Sequence, residues 1–153
     1  MSVFIQSRQR AFRPVEPLRI LAQKILQRLE RSEVELGLIL INDRQIRVLN
    51  RKYRGKDRPT DVLAFPLSLN PRIIKGKSQR VPHLLGDVVI SVKTARRQAR
   101  EFGHDIFQEM GRLLIHGTLH LIGYDHEKLR DARRMQRIER GLAKELLRLK
   151  AKV

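Results

Sequence analysis

Three of the five histidines in this 153-residue chain lie within eleven residues, in the segment HGTLHLIGYDH that begins at His116. His116 and His120 are four residues apart, so on a helix both side chains project from one face about a turn apart. Gly123 can end that helix in a left-handed turn and let the chain bring His126 toward the other two. Three imidazoles converging on one point are a ligand set for zinc with an open fourth position, which is typical of a catalytic site. The spacing therefore predicts one zinc ion on His116, His120 and His126; the alternative is two packed helix histidines and one surface histidine.

The same spacing occurs in zinc endopeptidases with the motif H-E-x-x-H-x-x-G-x-x-H, where the glutamate is the general base. In this chain Gly117 stands in the place of that glutamate. Since glycine cannot transfer a proton, the sequence predicts the zinc-binding geometry without peptide hydrolysis. Zinc on neutral histidines keeps its full positive charge, which favours an anionic substrate such as a phosphodiester.

The net charge independently indicates a polyanionic partner. The chain has 33 lysines and arginines against 16 acidic residues, a formal net charge of +17. A thermophile-like charged surface is the alternative, but such surfaces usually balance lysine and arginine with glutamate. No strongly amphipathic basic helix stands alone at either end, so we expect nucleic acid rather than a membrane as the partner. With few aromatic residues for base stacking, binding should depend mainly on phosphate contacts.

Composition predicts one globular domain over residues 1–153. Hydrophobic residues make up 41% of the chain, which is typical of a soluble folded protein. No apolar run approaches the roughly 18 residues that a membrane span needs, and the first residues lack a signal-peptide pattern. The chain has no cysteine, so it can form neither disulfides nor thiolate metal ligands. We therefore expect a cytoplasmic protein without membrane contact.

Hydrophobic periodicity and capping residues predict an α+β fold, a small mixed β-sheet packed with helices. The helix that carries the histidines should be central, with Gly111 and Gly117 allowing close approach by neighbours, in a zincin-like arrangement. Capping boxes are predicted at Asn42 with Gln45 and at Asp105 with Gln108. Predicted strands are 2–6 at an edge, 34–41 in the centre, 62–65 and 86–91; predicted helices are 17–29, 42–55, 93–102, 105–123 and 129–149. A long basic loop over residues 68–84 has no assigned role.

Three motifs together resemble those of the YbeY family of bacterial rRNA maturation factors. They are YRGKDRPTDVLAFP at 53–66, LLGDVVIS at 84–91 and HGTLHLIGYDH at 116–126, in the family's order. The resemblance extends from the strand at 34–41 to the final helix. It implies a zinc-dependent, single-strand-specific endoribonuclease of 16S rRNA 3′-end maturation and ribosome quality control. Its implied partners are the 16S rRNA precursor, the small ribosomal subunit and its assembly factors.

By the same resemblance the metal ligands are His116, His120 and His126, and the functionally important arginine is Arg54. The planar guanidinium of Arg54 could stabilise charge on a phosphoryl oxygen; a surface salt bridge is the alternative. An enzyme that hydrolyses RNA is the leading interpretation. The alternative is an RNA- or ribosome-binding assembly factor whose zinc is mainly structural. The general acid and base, the attacking group, the cut site and the oligomeric state are not predicted.

Neighbouring residues have two interpretations each. Lys56 and Arg58 would hold backbone phosphates, or would be solvated loop charges. Asp125 would orient a zinc-binding histidine, or would cap the final helix. Asp87 would face the histidines, or would end a strand.

Overall fold

The structure, a computed structural model, describes residues 2–7, 15–66, 84–124 and 128–152. Most of the predicted basic loop, together with Asp125 and His126, lies outside these residues. The elements follow the chain in the order β1 (Ser2–Ser7), α1 (Val15–Arg28), β2 (Glu35–Ile41), α2 (Asp43–Arg54), β3 (Val62–Pro66), β4 (Leu84–Ser91), α3 (Val92–Phe102), α4 (Ile106–Ile122) and α5 (Leu129–Lys152).

The four strands form one mixed sheet in the order β1-β2-β4-β3. β1 pairs with β2 and β2 pairs with β4 in parallel, whereas β3 pairs with β4 antiparallel. The predictions of a small mixed sheet, an edge strand at the N-terminus and a central strand at 34–41 are confirmed. β2 reads as a nearly continuous aliphatic run because helices cover both faces of the sheet at this strand.

The two faces of the sheet support two apolar clusters, since side chains alternate along a strand. Leu38 and Val88 belong to the larger cluster, which packs against α1 and α4. Leu63 and Val89 belong to the smaller cluster, which includes Ile46 of α2. α4 contacts α1, α3, α5, β3 and β4, and 11 of its 17 residues are buried. The prediction that the histidine-bearing helix is central is confirmed.

Two glycines allow α4 to pack closely against its neighbours. A Cβ at Gly111 would lie 2.5 Å from Leu146 Cδ1 of α5, and one at Gly117 would lie 2.7 Å from Val88 Cγ1 of β4. Both distances are shorter than carbon atoms tolerate without rearrangement. The second contact means that a glutamate at position 117, as in the zinc endopeptidases, would require Val88 to shift.

Capping follows the sequence predictions with one difference. Asn42 and Gln45 form the predicted capping box, and α4 ends at Gly123 with φ of 108°. Asp105 Oδ1 accepts from the Gln108 backbone nitrogen at 2.8 Å, but the return bond of a capping box is missing. The Gln108 side-chain oxygen instead accepts from Lys150 Nζ at 2.9 Å. This hydrogen bond joins the N-terminal end of α4 to the C-terminal end of α5.

α5 carries most of the predicted apolar stripe. Met135, Leu142 and Leu146 are buried against the core, whereas Leu129 is 69% exposed. Helical periodicity predicts that this stripe comprises Leu129, Ala132, Met135, Ile138, Leu142, Leu146 and Leu149. The prediction is wrong for Leu129, because α5 contacts the core only after its first turn. Among the described helices, none combines the length and the hydropathy that crossing a bilayer requires.

Replacing Gly111 by valine should lower the free energy of unfolding by about 1–3 kcal/mol, because the new side chain overlaps Leu146 and Leu21. Gly141→Val is the matched control, since a Cβ at Gly141 in α5 meets no atom within 4 Å. We expect that control to change stability by less than about 0.5 kcal/mol. Urea unfolding of both variants measures the difference, and equal effects would contradict the close approach of α4 and α5.

Candidate active site

His116 and His120 line a cavity of about 640 Å³ between α4, the end of α2 and the β3 strand. We call it the histidine cleft. The described residues that line it are Tyr53, Arg54, Thr60, Asp61, Val62, Leu63, Ala64, Phe65, Pro66, Arg112, Leu113, His116, Gly117, His120, Gly123 and Tyr124.

The two histidines turn the same ring atom toward each other. Their Nε2 atoms are 3.1 Å apart, and the rings meet edge to face with centroids 4.6 Å apart. Two nitrogen ligands of a tetrahedral zinc ion, each at about 2.1 Å from it, are separated by roughly 3.4 Å. The spacing of the two Nε2 atoms therefore fits a shared metal ion.

Glu139 of α5 approaches the other nitrogen of His116. Its Oε1 atom lies 3.3 Å from His116 Nδ1, and both side chains are about 30% exposed or slightly less. When Nδ1–H donates to this carboxylate, Nε2 carries the free lone pair that a metal requires. Sequence reasoning missed Glu139, because it is 23 residues from His116 and no local pattern joins them.

The third predicted metal ligand, His126, is not among the residues that the structure describes. Asp125 lies outside them as well. Among the residues that are described, no group of three histidine, cysteine, aspartate or glutamate side chains could hold a metal ion. The structure thus brings together His116 and His120, and the three-histidine site stays a prediction.

Arg54, the last residue of α2, lines the same cleft as the two histidines. Its side chain is exposed, and among the described residues it forms no ion pair that would make it a surface salt bridge. Lys56 and Arg58 are exposed as well, but neither is among the described residues that line the cleft. Of the basic residues in the motif at 53–66, Arg54 therefore lines the cleft, whereas Lys56 and Arg58 do not.

Asp87 lies away from the histidines, and both interpretations of it were wrong. It is in the middle of β4, is 1% exposed, and borders a different cavity together with Ile39 and Val89. Val89 belongs to the cluster on the α2 side of the sheet. Because side chains alternate along β4, Asp87 shares that side, opposite to α4.

Both tyrosines of the chain line the histidine cleft. The Tyr53 ring meets Phe65 edge to face at 5.1 Å, and the Arg134 guanidinium lies 5.7 Å from the centre of the Tyr124 ring. Three aromatic residues, Tyr53, Phe65 and Tyr124, thus line a cleft where a nucleobase could stack. The overall aromatic content gave no signal of this placement.

A buried carboxylate network forms one end of the cleft. Glu109 is fully buried and accepts hydrogen bonds from Arg112 Nε at 2.9 Å and Arg112 Nη2 at 2.6 Å. His104 Nε2 lies 2.8 Å from its Oε1 atom, and Gln98 donates to Oε2 at 3.0 Å. Gln98 also donates to Asp61 at 3.2 Å, so the network reaches a carboxylate that lines the cleft.

Hydrogen bonds and a nearby positive charge stabilise the ionised carboxylate of Glu109. Burial by itself raises the pKa of Glu109, but hydrogen bonds from Arg112 and His104, with the nearby positive charge, bring that pKa below its ordinary value. The hydrogen bond to Glu109 raises the pKa of Arg112. Arg112 therefore stays charged, and it adds a second arginine to the cleft beside Arg54.

Comparison with known proteins relates the chain to one family. Residues 4–147 match the family model described as Endoribonuclease YbeY. The chain is 49% identical over 137 residues to Endoribonuclease YbeY of Myxococcus xanthus, covering 86% of this chain and 45% of that protein. It is 38% identical over 151 residues to the protein of that name from Desulforamulus reducens, covering 95% and 97%.

The match covers unequal shares of these relatives. The chain covers 62% of Endoribonuclease YbeY from an Anaeromyxobacter species, at 50% identity over 127 residues. The chain therefore spans less than two thirds of the Myxococcus and Anaeromyxobacter proteins, 45% and 62% of their lengths. Among solved structures, the solution structure of TM1509 from Thermotoga maritima has a TM-score of 0.64 and 29% identity, and the match covers 94% of this chain and 88% of that one. This neighbour supports the α+β fold.

Acid should remove the stabilisation that Glu109 provides. Because the pKa of Glu109 is lowered on folding, its contribution is fully present above the unfolded pKa of about 4.3 and is lost as pH falls through the folded value. Glu109→Gln should lower the free energy of unfolding by about 1–3 kcal/mol at pH 7, and by less as the pH falls below about 4. Urea unfolding across this pH range, with the exposed Glu101→Gln as control, measures it; a difference independent of pH would contradict the assignment.

Proposed function

This chain belongs to the YbeY endoribonuclease family, and we propose that it cleaves single-stranded RNA with one zinc ion bound by His116, His120 and His126. The observation that carries the proposal is the 3.1 Å approach of the two Nε2 atoms inside a cleft that also holds Arg54. The cleft thus combines a pair of metal-binding nitrogens with a cation suited to a phosphodiester.

The metal site is supported by the chemistry of its donors. Both histidines provide an imidazole nitrogen, and a hydrogen bond from His116 Nδ1 to the Glu139 carboxylate would place the lone pair on Nε2, where a metal could bind it. A bound zinc ion with an open position supplies a Lewis acid and lowers the pKa of a bound water to roughly 7. Since the two histidine side chains are partly exposed, a substrate can reach them, which favours a catalytic over a structural ion.

The other residues of the cleft suit single-stranded RNA. Arg54 presents a planar set of donors that matches two oxygens of one phosphate, and it stabilises the charge that develops there during cleavage. Tyr53 and Tyr124 line the cleft, and aromatic side chains are suited to bases that are not stacked in a helix. A duplex keeps its bases stacked, so the cleft favours an unpaired segment.

The substrate in the cell follows from the family resemblance and the charge. We propose that the RNA is the 16S rRNA precursor at its 3′ end, and that the small ribosomal subunit and its assembly factors are the partners. The net charge of +17 supports binding to rRNA, and this role places the protein in the cytoplasm. Peptide hydrolysis is disfavoured, because Gly117 packs against Val88 where a peptidase has its glutamate.

Zinc should be required for cleavage but not for folding. We expect a single-stranded 16S 3′-end fragment to be cut by the zinc-loaded protein, to survive after chelation, and to be cut again when zinc is restored. His120→Ala should abolish both zinc binding and cleavage. End-group analysis of the products and metal analysis of the protein measure the two effects, and circular dichroism follows the fold.

Two outcomes would count against this function. Cleavage by zinc-free protein would remove zinc from the mechanism, and loss of the fold on chelation with RNA binding but no cleavage would favour the assembly-factor alternative. Glu139→Gln provides a graded control: it should weaken zinc binding by about 10- to 100-fold, as loss of a partner of a ligating histidine does. Glu101→Gln, exposed on α3, should leave zinc affinity unchanged.

Arg54→Ala should lower turnover by on the order of 10²–10³, far more than it lowers RNA affinity, because a charge that stabilises the transition state is lost. Zinc content should not change. Arg54→Lys should recover little, since a point charge does not replace two parallel donors. Single-turnover cleavage and RNA binding measure the split, with Arg58→Ala, outside the cleft, as the control; equal losses of rate and affinity would make Arg54 a simple phosphate anchor.

A further inference from the structure

Arg112 stands one turn before the histidine pair on α4. Arg112, His116 and His120 recur every four residues, so they share one face of the helix. Arg112 also lines a second cavity of about 450 Å³ between α4 and α5, which we call the α4–α5 groove. The groove is also lined by His104, Gln108, Ile115, Gln136, Glu139, Arg140, Ala143 and Leu146. Arg112 thus lines both the histidine cleft and the α4–α5 groove and lies between them.

The guanidinium of Arg112 is held in place. Nε and Nη2 both bind the buried Glu109 carboxylate, and the guanidinium lies 5.7 Å from the centre of the Phe102 ring. The side chain is nevertheless 44% exposed, and within the described residues no hydrogen bond uses Nη1. A fixed, charged group with unused donors can bind an anion at a small cost in side-chain entropy.

We propose that Arg112 binds the RNA phosphate next to the one held at the histidine pair, and that the strand continues past Arg112 into the α4–α5 groove. This inference rests on the proposed function of the cleft. Residues 112 and 116 are separated by about 6 Å along the helix axis, a span that neighbouring phosphates of one strand can match. The histidine pair and Arg54 would then hold the phosphate that is cut, and Arg112 would set the direction in which the RNA strand leaves the cleft.

The groove is suited to a nucleobase. Ile115, Ala143 and Leu146 provide apolar surface, whereas Gln108 and Gln136 provide amide donors and acceptors. A base likewise has apolar faces and a polar edge, so this combination can bind it through packing and amide hydrogen bonds. Arg140 adds a second cation to the groove, and the Glu139 carboxylate at its edge is directed to His116 Nδ1.

Arg112 could instead serve only to neutralise Glu109, and the experiment must separate the two roles. Removing Arg112 alone would leave the buried Glu109 carboxylate without its arginine and would destabilise the protein. We therefore compare Glu109→Gln, which keeps Arg112 but removes the buried charge, with the double variant Glu109→Gln/Arg112→Gln. Binding to a single-stranded oligonucleotide is measured by fluorescence anisotropy, in chelator to prevent cleavage, over a series of salt concentrations.

The double variant should bind RNA about 3- to 10-fold more weakly than Glu109→Gln, and the slope of log affinity against log salt should fall by about one. Arg148→Gln is the matched control, because Arg148 pairs with buried Glu145 at the same i,i+3 spacing and lines neither cavity. Arg28 still pairs with Glu145 in that control. An unchanged slope in the double variant would overturn the role of Arg112.

The path into the groove has its own test. Ala143→Trp fills the groove, and should reduce the affinity of a long oligonucleotide to that of a short one that occupies the histidine cleft alone. Leu147→Trp, on the same helix and 53% exposed, should keep the preference for the longer RNA. Retention of that preference in Ala143→Trp would overturn the path. Failure of the native protein to bind any RNA would instead overturn the proposed function itself.

Discussion

Helix α4 packs against the sheet on one side and against α5 on the other, at distances that exclude a side chain at two of its positions. Val88 occupies the space that a Cβ of Gly117 would take, and Leu146 occupies that of Gly111. Because interiors are packed at the density of organic crystals, these contacts fix both the depth and the rotation of the helix. The histidines depend on that fixed rotation, since their face of α4 is the one left open to the cleft.

A helix so placed has to satisfy polar groups at the edge of the core. Glu109 is fully buried, and a single partner would not offset the desolvation of its carboxylate. Arg112, His104 and Gln98 together surround it. The same network reaches Asp61 and thereby joins α3, α4 and the segment before β3. An electrostatic requirement of the fold thus brings a second arginine to the cleft.

The cleft is assembled from elements that are distant in the chain. Arg54 comes from the end of α2 and the histidines come from α4, while Glu139 of α5 contacts His116 from the side of the groove. Tyr53 reaches it from α2 and Tyr124 from the turn after α4. Each element is held by the core independently of the cleft, so the chemistry of the cleft rests on rigid supports. The groove beside it is lined by α4 and α5 and by His104 just before α4.

Local patterns in the sequence determined the elements and the central pair of the site. The four-residue spacing of His116 and His120 places them on one helix face whatever surrounds the helix. Asn42 with Gln45 and Gly123 likewise act through backbone hydrogen bonds within a few residues, and the structure shows them as predicted. The family motif was sufficient to associate Arg54 with the histidines.

Only the tertiary structure decided which distant side chains meet. Glu139 contacts His116, which is 23 residues away in the chain. Lys150 donates to the Gln108 side-chain oxygen that a capping box at Asp105 would have used, and Leu129 lies outside the core. Periodicity predicts which face of a helix is apolar, but the contacts between helices depend on their crossing angle and separation. Those quantities are set by packing of the whole core, here by α4 against β4 and α5, and no short stretch of sequence contains them.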